Sequence, residues 1–268
     1  ARFQSTRLPG KILADIAGHP MIEHVYRRTS AASLVHATVV ATDDQRIAEA
    51  VTAFGGAAIM TSASHVSGTD RIAEVARELP CRLVVNVQGD EPLVEPGTID
   101  AAIAPMLADP SLEMSTISRR LTDFHEFTSP HVVKVTTDLV GNALYFSRSP
   151  IPGHQQGPAA ALQSASSVLS AAHIGLYVYR RDILLKLAAL PPAPLEAAES
   201  LEQLRALSHG IGIRVVPTTH SSAGVDTPAD LERVRLLLAH LRSPGELASF
   251  GGVPPKHSAS VGSEDGRP

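Results

Sequence analysis

Two acidic residues stand where apolar runs end. Asp90 follows the run in "VVNVQGDEP", and Asp226 lies in "AGVDTPADLERV", between a strand-like run and a helix start. Carboxylates at neighbouring strand ends could share Mg²⁺, a hard ion that takes carboxylate and phosphate oxygens, and hold a nucleotide α-phosphate against it. Each also suits a plainer role. Gly89-Asp90 makes a turn, and an acid or Thr227 before Pro228 is good capping chemistry. A third stretch, "ARFQSTRLPGK", carries Arg2, Arg7 and Lys11 around Pro9 and Gly10. Backbone N–H groups and three cations on one turn could hold a polyphosphate. An exposed turn with ordinary surface cations is the equal alternative.

Further polar groups are placed less distinctively. "SHVSGTDRIAEV" offers Ser67, Gly68 and Arg71 at a helix start, where a base edge or an anion could bind, or where Ser and Thr simply cap. Gln88 sits one turn from Asp90. "YFSRS", "HIGLYVY" and "LEQLR" supply Arg148, His173, Tyr177, Glu202 and Gln203. Singly, these read as a strand-end cation, a satisfied His, a core Tyr and a solvated helix face.

Several chemistries are excluded. Gly10-Lys11 is followed by Ile12 and lacks the upstream Gly of a Walker A loop. No G-x-S-x-G occurs, so a hydrolase nucleophile elbow is absent. The 12 His form no helical pair suited to a metal, and Cys81, the single Cys, cannot form an internal disulfide and reads as a small core residue. A net charge of -4 and no Trp argue against nucleic acid as a partner. No run of apolar residues is long enough to cross a membrane, which gives cytoplasmic residence as the expectation.

The elements that must position these groups alternate. Leu34–Thr42, the run "GAAIMT" and "RLVVNV" read as strands, with helices over Asp43–Phe54, Asp70–Leu79 (capped by Thr69 or Asp70) and Thr98–Leu107. That alternation predicts an α/β fold with a mostly parallel, Rossmann-like sheet covered on both faces. From about residue 113 to 179 the pattern becomes antiparallel, with Gly141-Asn142 as a hairpin turn. Residues 152–170 read as a mobile loop. A strand, a helix over Arg180–Leu190, one helix within "PPAPLEAAESLEQLRALSHG", a strand "IGIRVVPT" and a last helix from Thr227-Pro228 follow. The 268-residue chain thus divides into one domain, 1–240, and a Gly/Pro/Ser-rich tail, 241–268, with the composition of a disordered segment.

Taken in order, "STRLPGK", "PMIEHV", "VVATDD", "SGTDRIAEV", "VVNVQGDEP", "ALYFSR", "HIGLYVY", "PLEAAESLEQLRAL" and "GVDTPADLERVR" carry a resemblance. The chain resembles the 3-deoxy-manno-octulosonate cytidylyltransferases, the CMP-Kdo synthetases of Gram-negative bacteria, from Ala1 to about Leu238. The resemblance implies a nucleotidyltransferase that joins CTP and Kdo, giving CMP-Kdo and pyrophosphate for lipopolysaccharide synthesis. It implies that Asp90 and Asp226 hold Mg²⁺ and that Arg2, Ser5, Arg7 and Lys11 clamp the triphosphate. Lys11, Asp90 and Asp226 are then the catalytic group. It places Ser67, Gly68 and Arg71 near cytosine and ribose, and Gln88, Arg148, His173, Tyr177, Glu202 and Gln203 around Kdo. It further implies a cytoplasmic homodimer built through the 113–179 insertion, without membrane insertion. A related acid (8-amino-Kdo or a nonulosonate) and a non-catalytic binding protein are the alternatives.

The family carries an apolar strand before the cationic loop, and the sequence begins after it. The expectation is a chain missing a central, N-terminal strand of its sheet. Phe3-Gln4 and the stretch from Gly153 to Ala172 also depart from the family's usual pattern.

Overall fold

The computed structural model describes residues 1–3, 8–65, 67–157, 159, 171–220 and 224–241. Ser5 and Arg7, most of the loop after 157 and the tail beyond 241 lie outside the described residues.

Ten strands and nine α-helices are described. A 3₁₀ turn at Lys11–Leu13 leads into the short strands β1 (Asp15–Ile16) and β2 (His19–Pro20) and helix α1 (Met21–Ala31). Then come β3 (Val40–Thr42), α2 (Gln45–Ala53), β4 (Ala58–Met60), α3 (Gly68–Glu78), β5 (Leu83–Asn86) and α4 (Pro96–Ala108). The second half runs β6 (Met114–Arg120), α5 (Phe124–Thr128), β7 (Lys134–Thr137), β8 (Ala143–Ser147), β9 (Ala171–Arg180) and α6 (Arg181–Ala189). It closes with α7 (Pro194–Glu199), α8 (Gln203–Ser208), β10 (Ile213–Thr218) and α9 (Pro228–Leu241).

The α/β frame expected from the sequence is present, with a mixed rather than mostly parallel sheet. The larger sheet has the order β10-β6-β9-β7-β8, and β5 pairs with the C-terminal half of β9. Only β10 and β6 are parallel there, because β9 runs antiparallel to β5, β6 and β7. The run from 113 to 179 therefore supplies strands to the same sheet as β5 and β10. β3 and β4 form a separate parallel pair, and among the described residues no ladder joins it to the larger sheet.

Apolar side chains alternate to the two faces, as strand geometry requires. One face buries Ile117, Leu176 and Val178 against Ile99, Ile103 and Met106 of α4. The other buries Met114, Tyr179 and Val215 against Ala73 of α3, Leu184 of α6 and Leu204 of α8. Burial at roughly 25 cal/mol per Å² makes these two layers the main source of stability.

Local chemistry sets several boundaries differently from the sequence expectation. Leu34 to Val39 is not strand. The Ser33 and Leu34 amides donate to the Asp100 carboxylate at 2.9 and 2.8 Å, which ties this segment to α4 instead of a ladder. The cap of α3 is Ser67, not Thr69 or Asp70: its Oγ accepts from the Asp70 amide at 3.1 Å, while Asp70 accepts from the Ser67 amide at 3.2 Å. That reciprocal pair satisfies two otherwise orphaned donors. The single helix expected after Pro194 is two, broken where Ser200 turns left-handed at φ 52°. Cys81 is half-buried rather than in the core.

Candidate active site

The cationic loop is closed at Gly10, whose amide donates to the Phe3 carbonyl at 3.1 Å. Gly10 has φ 69°, and a Cβ there would also meet the Phe3 ring at 3.2 Å, so this turn needs glycine. The next residue, Lys11, opens the 3₁₀ turn, and Ile12 behind it is buried against Gly89. Lys11 is thereby aimed at the turn after β5.

Asp90 and Asp226 come together through the backbone. The Val225 amide donates to the Asp90 carbonyl at 2.9 Å, joining the β5 turn to the segment that enters α9. Thr227 and Asp230 cap α9 reciprocally and hold that segment in register. Between the two carboxylates sits the Lys11 ammonium. It donates to Asp90 Oδ2 at 2.6 Å, Asp226 Oδ1 at 3.0 Å and the Val225 carbonyl at 3.1 Å. These three acceptors use all three ammonium donors. Burial alone would lower the Lys11 pKa, but the hydrogen bonds and charges of Asp90 and Asp226 outweigh it and raise the value, so the group is cationic.

A cavity of about 110 Å³ opens at Gln88, two residues before Asp90 in the chain. Gln88, Tyr177, Glu202 and Gln203 of the expected sugar pocket line it, together with Gly68. Glu202 Oε1 is buried there without a hydrogen-bond partner, and the nearest cation, Arg205, is 4.0 Å from that carboxyl oxygen. An orphaned acceptor beside a cavity is a place for a ligand's hydroxyl. Thr69 at the start of α3 lines the cavity as well, and so do Asn86 and Tyr179, which the sequence reading missed. Their signal was present. Asn86 and Gln88 are two apart after a Leu-Val-Val run, and Tyr177 and Tyr179 are two apart on β9, so each pair shares a face.

The remaining expected residues are dispersed. Arg2 is exposed and donates to the His65 carbonyl at 2.8 Å. Ser67 is spent on its cap. Arg71 is almost fully buried, with Nη2 on Asp43 at 2.8 Å and Nη1 on Thr61 at 2.5 Å, so it ties α3 to the β3–β4 pair. Arg148 lies outside the small cavity, its guanidinium on the carbonyls of Glu199, Pro130 and Ser200. Its contacts are carbonyls, not carboxylates, so its charge is not neutralised by a bonded anion.

His173 lines a second, larger cleft of about 650 Å³ that also reaches Glu91 and Gly224 beside the two aspartates. Its Nε2 is 2.9 Å from Thr116 Oγ1, at a bulge where β6 and β9 change register. Thr116 has one proton, and the Leu176 carbonyl takes it at 2.8 Å, so His173 Nε2 is the donor and Nδ1 the acceptor. Burial pushes the His173 pKa down to about 3. With the unfolded value near 6.5, the unfolded chain binds more protons between those pH values. Stability therefore falls on acidification by up to about 1.4 kcal/mol per pH unit from this group and is unaffected above pH ~6.5. Urea unfolding of His173→Gln across this range should show a shallower pH slope than the parent chain; an identical slope would refute the assignment.

The fold and the Lys-Asp-Asp cluster define a nucleotidyltransferase class, and comparison with known proteins makes it specific. A cytidylyltransferase family profile matches residues 1–213. The chain is 56% identical over 237 residues to the 3-deoxy-manno-octulosonate cytidylyltransferase of Geobacter metallireducens, covering 87% of this chain and 93% of that protein. The enzyme of the same description from Geobacter sulfurreducens is 57% identical over 237 residues, covering 87% and 95%. A solved structure of CMP:2-keto-3-deoxy-manno-octonic acid synthetase complexed with CTP superposes with a TM-score of 0.83 at 44% identity, covering 90% of this chain and 96% of that one. The chain belongs to the cytidylyltransferase family and, within it, to the 3-deoxy-manno-octulosonate cytidylyltransferases.

Proposed function

We propose that the protein transfers CMP from CTP to Kdo, releasing pyrophosphate, as a step of lipopolysaccharide synthesis. The observation that carries this is the Lys11 ammonium bonded to both Asp90 and Asp226, which joins the turn after β5 to the segment entering α9. The relatives at 56 and 57% identity supply the substrate pair.

Mg²⁺ fits this site. Two carboxylate oxygens and the Val225 carbonyl already converge on one cation, and hard oxygens of that kind suit Mg²⁺, which is commonly held by one or two carboxylates plus substrate phosphates. Asp90 and Asp226 would hold it, and bound there it neutralises charge on the reacting phosphate. The chain's own groups do the rest by positioning. Lys11, with Arg2 and the loop residues Ser5 and Arg7, binds the triphosphate and stabilises the departing pyrophosphate. The start of α3 at Ser67 and Gly68 borders the base and ribose, with Arg71 anchoring that helix from behind through Asp43 and Thr61. On the acceptor side, Gln88, Glu202 and Gln203 hold sugar hydroxyls. Arg148 meets the sugar's carboxylate, because a guanidinium fork matches that anion. His173 and Tyr177 form the enclosing wall. The anomeric hydroxyl attacks the α-phosphorus as the bond to pyrophosphate breaks.

No described helix is long and apolar enough to cross a membrane. We place the enzyme in the cytoplasm, with CTP, as a homodimer. The exposed Leu139, Val140 and Leu144 on the β7–β8 hairpin support that assembly by offering apolar surface. The test is pyrophosphate release by purified protein with CTP, Kdo and Mg²⁺, beside other sugar acids as acceptors. Release with Kdo preferred is the expected result; none from any acid would leave a binding protein. Sedimentation of the same preparation should give a dimer, and monomer alone at micromolar concentration would refute the assembly.

A further inference from the structure

Lys134 on β7 is fully buried. Its ammonium donates to the Ser129 carbonyl at 2.8 Å, the Val132 carbonyl at 2.6 Å and the Arg148 carbonyl. Three donors meet three carbonyls, and none of these acceptors is a carboxylate. Taking an ammonium out of water without a bonded counter-ion is costly, and burial accordingly lowers the Lys134 pKa. An aliphatic side chain would fill the same space without that cost. It could not hold two separate backbone segments at one point.

Those segments matter for the site. Ser129 and Val132 belong to the stretch whose His131, Val132 and Val133 wall the larger cleft. The Val133 carbonyl in turn accepts from the His173 amide at 2.8 Å. Arg148 directly follows β8, and from it the connections continue into α7. The Glu199 carboxylate accepts from the Arg148 amide at 2.9 Å and from Ser147 Oγ at 2.7 Å, and the Glu199 carbonyl accepts from Arg148 Nε at 2.8 Å. Glu199 is the last residue of α7, and the left-handed turn at Ser200 delivers the chain directly to Glu202 and Gln203 at the small cavity.

We infer that Lys134 is a positioning residue: it fixes Arg148 and, through Glu199, the α7–α8 junction carrying Glu202 and Gln203, setting the acceptor side of the site without touching substrate. This rests on the reading of those residues as the sugar-acid side. The nucleotide side, built on Lys11, Asp90 and Asp226, shares none of the hydrogen bonds in this chain of contacts. Lys134 therefore acts on one substrate and not the other.

The test is initial-rate pyrophosphate release by full-length Lys134→Met, varying Kdo at saturating CTP and then the reverse. The KM for Kdo should rise at least about tenfold, with the KM for CTP within about twofold of the parent value. A merely structural role would lower the active fraction and leave both KM values alone. That outcome, or an equal rise in both, overturns the inference. Should Lys134→Met fail to fold, Glu199→Ala breaks the same chain nearer the surface and must show the same split; unchanged KM values there overturn it equally. Release by the parent chain keeps the two failures distinct. An active parent with an unmoved KM for Kdo in the variant overturns this inference alone, whereas an inactive parent overturns the proposed function and this inference with it.

Discussion

Asp90→Ala should lower kcat for pyrophosphate release about a thousandfold or more, with the protein still folded and the KM for CTP little changed. Removing one preorganised stabiliser of transition-state charge typically costs about 10²–10³ in rate. Asp90 carries two such duties, as a proposed ligand of Mg²⁺ and as the shorter of the two carboxylate contacts to Lys11, at 2.6 against 3.0 Å. The fold survives because the bond that assembles the site uses the Asp90 carbonyl, which accepts from the Val225 amide and is retained in alanine. Lys11 likewise keeps Asp226 and the Val225 carbonyl. CTP binding is spared because deleting an anion beside a triphosphate removes repulsion rather than attraction. Steady-state kinetics with a thermal melt checks all three parts. A raised KM with kcat intact would instead make Asp90 a ground-state binding residue and leave the chemistry elsewhere.

How much of this was legible beforehand depended on whether a residue's role is local. Asp90 and Asp226 could be found because strand ends in an open α/β sheet are where ligands bind, and each strand end is marked by its own neighbours. The Ser67 cap was misplaced by only a few residues, since its rule is a spacing of three. Arg71 shows the opposite case. Its sequence neighbourhood suggests an exposed cation at a helix start, but its partners are Asp43 and Thr61, 28 and 10 residues away, and a cation spent on a buried ion pair looks the same in sequence as one left for a nucleotide. The break at Ser200 was equally hidden. "PLEAAESLEQLRAL" has good helix formers on both sides, and what ends α7 is the burial of Leu201 and Leu204 in the core under the sheet. Such tertiary demands override propensity. Leu34 to Val39 reads as a strand for the same reason in reverse: its composition is right, but its first amides are taken by Asp100.

Lys11→Met should do two things that ordinarily do not go together: cut turnover about a hundredfold or more and tighten divalent-cation binding in the absence of nucleotide. The first follows from losing the cation proposed to hold the triphosphate and the departing pyrophosphate. The second follows from where the ammonium sits. With Lys11 bonded to both Asp90 and Asp226, a dication must displace a cation from the same oxygens. Once a triphosphate offers its own oxygens, the ammonium can move to them and release the carboxylates. Nucleotide and metal should therefore bind cooperatively in the parent chain, and less so in the variant. Titration with Mn²⁺ alone, followed by its electron-spin signal, should show at least about tenfold tighter binding to Lys11→Met, since removing a unit charge at hydrogen-bond distance is worth more than 1.4 kcal/mol at an effective dielectric near 20. Stability supplies an independent readout. The variant removes the ammonium that bridges the two carboxylates. Both are partly exposed, with side-chain exposures of 30% for Asp90 and 50% for Asp226, so solvent limits the penalty to about 1 kcal/mol at low ionic strength. Added Mn²⁺ or Mg²⁺ should restore the lost stability by binding the folded state alone, giving a melting temperature that rises with metal in the variant far more than in the parent. Equal Mn²⁺ affinity in the two proteins would show that Lys11 does not guard the carboxylates, however severe its effect on turnover.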